Sequence, residues 1–192
     1  MRALIVGFVL MLATAAHAAC PTGHALATVA ETAFPAEMRG DAKLDAATCT
    51  AVRTHAGARW LLELDTGTTG LLIAVASPNG KVAWVCCGVG GGAIVDATAT
   101  DLDGDGADEL VITTRDTSNA RAIGVQSIDG NHGDSIELAA GARWHLDDHA
   151  IASTANAGRT GSPKAMPSEI VVADAAGNVA RYRWVHAALE HS

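Results

Sequence analysis

From about residue 58 onward the chain breaks into short apolar segments, each too short for a buried helix and each bounded by turn residues. Residues 59–64, 71–77, 81–87 and 93–98 are rich in Val, Ile, Leu, Trp and Thr, and TGTTG, PNG and a glycine cluster separate them. Residues 109–114, 120–127, 135–139, 169–174 and 179–185 continue the series. Apolar, β-branched segments recurring about every ten residues with Gly, Asn and Pro between them specify antiparallel strands joined by tight turns. The expected fold is therefore all-β, made of antiparallel short-strand repeats over residues 57–187. Residues 19–56 lack the pattern, hold Pro21 and Pro35, and include a stretch, 24–38, that suits a short helix. Residues 147–167, rich in Ala, Ser, Thr and Gly, read as a long loop, and 188–192 as a tail.

The core of such an assembly is thin. Of the 192 residues 49% are hydrophobic, but roughly a fifth of the chain is Ala and only 4% is aromatic, so the large side chains that dominate most cores are scarce. Stabilisation by cross-links or a bound ion is expected, and both depend on the compartment. Residues 1–18 read as a cleavable secretory signal: Arg2 supplies the charge, residues 3–16 the apolar run, and Ala16-His17-Ala18 the small residues at the cleavage site. The run is too short for a membrane span. A lipid-attachment signal at Cys20 is disfavoured by His17 three residues before it. A periplasmic or extracellular location follows, with cleavage at about Ala18/Ala19.

Removing that segment takes away one basic residue, leaving 12 basic against 21 acidic residues, a formal charge of −9. This balance argues against a nucleic-acid partner and against anionic membrane surfaces, and it suits a cation. All four cysteines, Cys20, Cys49, Cys86 and Cys87, survive cleavage, so two disulfides are expected in an oxidising compartment. Adjacent residues on a strand point to opposite faces, so a Cys86–Cys87 bond is the minor alternative, as a redox switch. The favoured pairing sends Cys20 and Cys49 each to one of that pair, fastening the N-terminal segment to the sheet.

Three short strings recur. AGARW stands at 56–60 and 140–144, VASPNGKV at 75–82 aligns with VADAAGNV at 172–179, and DELVITT at 108–114 resembles SEIVVAD at 168–174. A unit of strand, glycine-containing turn and strand thus appears about three times.

The strongest chemical signal is DLDGDGADELVITT, residues 101–114. Asp101, Asp103 and Asp105 alternate, Gly104 and Gly106 permit a sharp turn, Ala107 offers a backbone carbonyl at position seven, and Glu109 falls at position nine. Carboxylates converging on a curled backbone repel one another unless a cation lies between them, and hard oxygen donors select Ca²⁺. An EF-hand would need a bidentate Glu at position twelve and a helix after the loop. Position twelve is Ile112, and LVITT is strand-like, which excludes it.

DxDGDGxxEL running directly into an apolar strand resembles the FG-GAP or VCBS repeat, the calcium-binding hairpin of integrin α-chain propellers and of many bacterial secreted proteins. The resemblance implies one Ca²⁺ held by Asp101, Asp103, Asp105, the Ala107 carbonyl and Glu109, the Glu being a mild departure from the commoner Asp. It covers about fifteen residues, with weaker strand similarity over 60–185. Before Glu169 the chain reads GSPKAMPS without an acid, so one calcium site is expected. About ten strands would fill two and a half to three four-stranded blades, and propellers usually need four or more. The expectation is a partial β-propeller-like or open β-sandwich-like assembly.

Other motifs carry less. His145 and His149 have zinc-helix spacing with Asp148 between them, but they lead into a loop and lack a third ligand. GVGGG at 88–92 lacks the Lys-Ser/Thr ending of a phosphate loop, and Ser162 with Lys164 has no third catalytic partner. Trp60, Trp84, Trp144 and Trp184 recur at strand positions and read as packing, with a sugar-stacking surface as the alternative. The function expected is a non-enzymatic secreted or periplasmic calcium-binding module that binds a protein or glycan partner or serves as a scaffold. The alternatives are a small secreted metal-dependent hydrolase, or an envelope accessory or inhibitor protein whose calcium loop is incidental.

Overall fold

The structure is a computed structural model that describes residues 19–67, 70–86, 92–129, 132–147 and 168–192. Two helices open it, α1 (Gly23–Ala33) and α2 (Ala36–Arg39), followed by a single 3₁₀ turn, Leu44–Ala46. The break between the helices falls at Phe34-Pro35, where the proline ring disfavours helical geometry in the residue before it.

Among the described residues, the strands that follow form antiparallel sheets. β1 (Thr48–Thr54), β2 (Gly57–Asp65), β3 (Leu71–Ala76) and β4 (Val82–Cys86) form one four-stranded sheet in chain order. β5 (Ala93–Thr100), β6 (Glu109–Arg115), β7 (Arg121–Ser127) and β8 (Gly133–Leu138) form a second. β9 (Arg143–Asp147), β10 (Glu169–Ala173), β11 (Val179–Val185) and β12 (Ala188–His191) form the third. Each sheet is a meander in which every strand pairs with its sequence neighbour, so no sheet closes into a barrel.

The sheets lie as successive layers, and the faces they share explain the sequence. In β2, Leu62 and Leu64 face α1 while Leu61 faces the second sheet; in β3, Leu72, Ala74 and Ala76 face the helix while Ile73 and Val75 face the second sheet. Leu110 and Ile112 of β6 meet that first sheet, and Val111 turns the other way, toward Ile170 and Trp184 of the third. A strand covered on both faces reads as a continuous apolar run, as LLIAVA and LVITT do. Alanine has a role here: Ala30 and Ala33 of α1 are fully buried in the cluster that holds Ala74 and Ala76, and small side chains on both sides let helix and sheet approach closely. Phe34, Leu62 and Leu64 supply the volume of that layer.

Four expectations need correction or restatement. First, Cys20 and Cys49 are bonded to each other, with their Cα atoms 5.9 Å apart, instead of each reaching toward Cys86 or Cys87. Cys49 lies on β1 opposite Leu62 of β2, on the face that α1 covers, and Cys20 packs into the same cluster just ahead of that helix. β1 and β4 are opposite edges of one sheet. Three strand spacings of about 4.8 Å separate them, well beyond the roughly 7 Å Cα limit for a disulfide between Cys49 and Cys86. Cys87 lies outside the described residues, as does segment 1–18, expected from the sequence to be a secretory signal. Second, the first strand, β1, begins inside the segment read as an N-terminal appendage. Third, residues 188–192, read as a tail, carry β12, which pairs with β11.

Fourth, the recurring strings do not share one frame. DELVITT and SEIVVAD fall on β6 and β10, each the second strand of its sheet, whereas VASPNGKV joins the third and fourth strands of the first sheet and VADAAGNV the second and third of the last. The repetition is one of hairpins, not of whole sheets.

Candidate metal site in the β5–β6 loop

The acidic stretch forms the turn between β5 and β6, and its first layer of structure is its own hydrogen bonding. Gly104 and Gly106 have φ of 77° and 95°, which only glycine adopts cheaply, and they curl the backbone back over Asp101. Asp101 accepts hydrogen bonds from both: Gly104 N to Oδ1 at 2.7 Å and Gly106 N to Oδ2 at 3.0 Å. Asp103 accepts from Asp105 N at 3.1 Å, and Asp105 from Ala107 N at 2.8 Å. Leu102, fully buried against Val111 and Ile123, pins the loop to the core between the second and third sheets. Its N–H donates to Glu109 Oε2 at 2.8 Å.

The result brings oxygens of Asp101, Asp103 and Glu109 within 4.8 Å of one another. Of the five ligands expected from the sequence, these three converge. Asp105 is turned elsewhere: its Oδ2 lies 2.9 Å from Nε2 of His55, in the turn between β1 and β2. Ala107 is buried at the foot of the loop.

Asp108, which the sequence pattern skips, is the loop's structural tether. Arg53 of β1 donates to it three times, from the backbone N at 2.7 Å, Nε at 3.2 Å and a terminal guanidinium nitrogen at 2.6 Å. Asp108 N in turn donates to the Arg53 carbonyl at 2.9 Å. An alternation rule reading positions one, three, five and nine has no slot for it. The signal available was a basic residue, Arg53, within a β1 strand that itself escaped recognition.

Electrostatically the cluster is out of balance. Glu109 is almost fully buried, and burial, reinforced by the charges of Asp103, Asp105 and Asp101, pushes its carboxyl up to about 8 despite the bond from Leu102 N. Burial, with the charges of Asp105 and Asp101, also raises Asp103. Arg53, the cation at hand, is committed to Asp108 and reaches only to 4.0 Å from Asp101 Oδ2. Three converging carboxylates, one of them buried, match a hard divalent cation in charge and in donor type. A metal bound there would offset both the burial of Glu109 and the smaller effect of the neighbouring carboxylates on it.

The remaining sequence signals fall apart by position. His145 sits on β9 opposite Val171 of β10, while Asp148, His149, Ser162 and Lys164 lie outside the described residues, as do residues 88–91 of the glycine cluster. Trp60 packs under α1 and Trp184 between the second and third sheets, and Trp84 Nε1 donates to the Ile128 carbonyl at 2.6 Å. No helix among the described residues is long and apolar enough to cross a membrane. Among the described residues, the fold and site together define an all-β assembly of three meander sheets with one acidic cluster able to hold a metal ion. No family model matches the chain, and no curated protein or solved structure matches it.

Proposed function

We propose that this protein is a non-enzymatic, secreted or periplasmic module of the FG-GAP/VCBS type that binds one Ca²⁺ in the β5–β6 loop and serves in binding or as a scaffold. The observation that carries the reading is the buried Glu109 facing Asp101 and Asp103, with Arg53, committed to Asp108, standing 4.0 Å from Asp101. The Cys20–Cys49 bond supports the compartment, because structural disulfides persist where the environment is oxidising. Extracellular calcium levels suit a site with a dissociation constant on the order of 10⁻⁴ to 10⁻³ M.

Calcium here has a structural task. The loop is fixed to the first sheet through Arg53 and Asp108 and to the interior through Leu102, so a cation that holds the loop also holds the first two layers together. Because the folded state alone assembles the carboxylates, binding adds to stability by mass action: about 2.7 kcal/mol when calcium stands at a hundredfold its dissociation constant. For a chain this size that raises Tm by about 5–10 °C. Thermal melting in calcium and then in chelator tests the reading. A coincident pair of midpoints would remove calcium from the account, and the double variant Asp103→Ala with Asp105→Ala is expected to erase any calcium-dependent shift.

A further inference from the structure

The described arginines differ in what they touch. Arg53, Arg181 and Arg183 each bond a carboxylate, and Arg39 and Arg59 each donate to a backbone carbonyl. Arg115, Arg121 and Arg143 have neither kind of partner among the described residues. The first two stand together: Arg115 and Arg121 are directly opposite one another, at the last pair of β6 and β7 before the turn. Cβ atoms so placed are about 4.5–5.5 Å apart on one face of the sheet, and two cations there repel each other. Arg121 carries a second cost. It lies beside the buried Ile123 and Leu138, and its Nε is buried without an acceptor, a donor that lost its water and gained nothing in exchange.

The carboxylates of the neighbourhood are engaged elsewhere. Asp116, the next residue, closes the β6–β7 turn with Oδ1 taken by Ser118 and Ala120, and Asp174 in the β10–β11 turn is held by Ala176 and Asn178. Asp96 stands opposite Thr113, two residues back along β6, and its charge bears on Glu63 of the first sheet. Glu137, opposite Ala122, turns to the other face. None of the four forms an ion pair with either guanidinium. The backbone under the pair is fixed: Asp116 N donates to the Ala120 carbonyl at 2.9 Å, and a Cβ added to Gly92 would lie 3.0 Å from the Arg115 carbonyl oxygen, so the chain entering β5 packs onto Arg115. A guanidinium is a planar fork of donors that takes two oxygens of an oxyanion. One fork satisfies a carboxylate; two neighbouring forks call for a group with two charges and more than two oxygens. We infer that Arg115 and Arg121 form a binding site for a tetrahedral oxyanion, a phosphate or sulfate group, free or carried as an ester. An anion seated there offsets the repulsion within the pair and supplies acceptors that the two side chains lack. The site is at the far end of β6 from the acidic loop and does not depend on calcium.

The test is titration calorimetry of the full chain in calcium-free chloride buffer at constant ionic strength, against sodium sulfate, sodium phosphate and phenyl phosphate, with sodium acetate as the planar control. Saturable binding of sulfate or phosphate is expected, with acetate weaker by about tenfold or more. Phenyl phosphate binding at least as tightly as phosphate assigns the site to esters, and weaker binding assigns it to the free ion. Arg115→Gln should weaken binding by about tenfold, the worth of one charge-assisted hydrogen bond. Arg121→Lys, which keeps the stem and the charge but loses the fork, should weaken it as well. Melting in chloride alone checks folding, and because Arg115→Gln relieves the like-charge contact it should melt no lower than the native protein. No saturable binding of either tetrahedral anion, acetate binding as tightly as sulfate and phosphate, or binding that both variants leave unchanged would each overturn the assignment.

Discussion

Asp116 and Asp174 each open a strand-to-strand turn, as Asp101 opens the acidic loop, yet the electrostatics of these turns run the opposite way. In the β6–β7 turn, Asp116 Oδ1 accepts from Ser118 N, Ser118 Oγ and Ala120 N. In the β10–β11 turn, Asp174 accepts from Ala176 N, Asn178 N and the Asn178 amide. Each is a single carboxylate with three or more donors, and those donors, led by the Ser118 and Asn178 side chains, hold it below the usual carboxylate range. In the β5–β6 loop, Asp103 and Glu109 each accept one backbone N–H from another residue, from Asp105 and Leu102, the cluster is partly buried, and both acids are pushed up instead. A turn needs one acid to close it. Additional acids beyond the available donors add charge that the turn itself does not use, and that surplus distinguishes a cation site from a plain turn.

The largest break in this contrast is expected from Leu102→Ala. Neither single-acid turn has a buried anchor, whereas Leu102 ties the acidic loop into the core; its truncation should cost about 3 kcal/mol, read from chemical denaturation, and weaken calcium binding with it. Next comes Glu109→Gln. In chelator at neutral pH the folded protein must keep a buried acid protonated that the unfolded chain leaves ionised. The amide removes that demand, so the variant should be more stable than the native protein by about 1–3 kcal/mol in chelator, and it should lose the calcium response.

The same imbalance sets a pH dependence with a definite sign. An acid whose folded value is raised binds its proton more tightly when folded, so its contribution favours the folded state at low pH and is lost as pH rises from the ordinary value near 4.5 to about 8. In chelator, Tm should fall across that window on account of Glu109, and saturating calcium should flatten the fall. Asp116 and Asp174 behave inversely: their stabilisation is present above the ordinary Asp value and disappears as pH drops below it. Asp116→Asn and Asp174→Asn give the smallest effect, a slight loss of Tm identical in calcium and in chelator. A calcium-dependent effect from either would mean that the loops do not differ in kind.

How far the sequence carries depends on the range of the interactions. The central strands are legible because both their faces are covered, which writes a continuous apolar run into β3 and β6. β1 is not: it is an edge strand whose TCTAVRT pattern contains a single buried residue, Val52, and with it the sequence loses the position of Cys49 and hence the disulfide partner. The loop's acids are local and readable, and three of them converge. The diversion of Asp105 to His55 and the capture of Asp108 by Arg53 are set by residues 50 and 55 positions away, on a hairpin that local patterning does not connect to the loop.

The most direct measurement is a calcium titration of the native protein by flow dialysis, repeated on Glu109→Gln. One Ca²⁺ per chain is expected for the native protein and none for the variant. No bound calcium in the native protein, or equal binding in both, would contradict it.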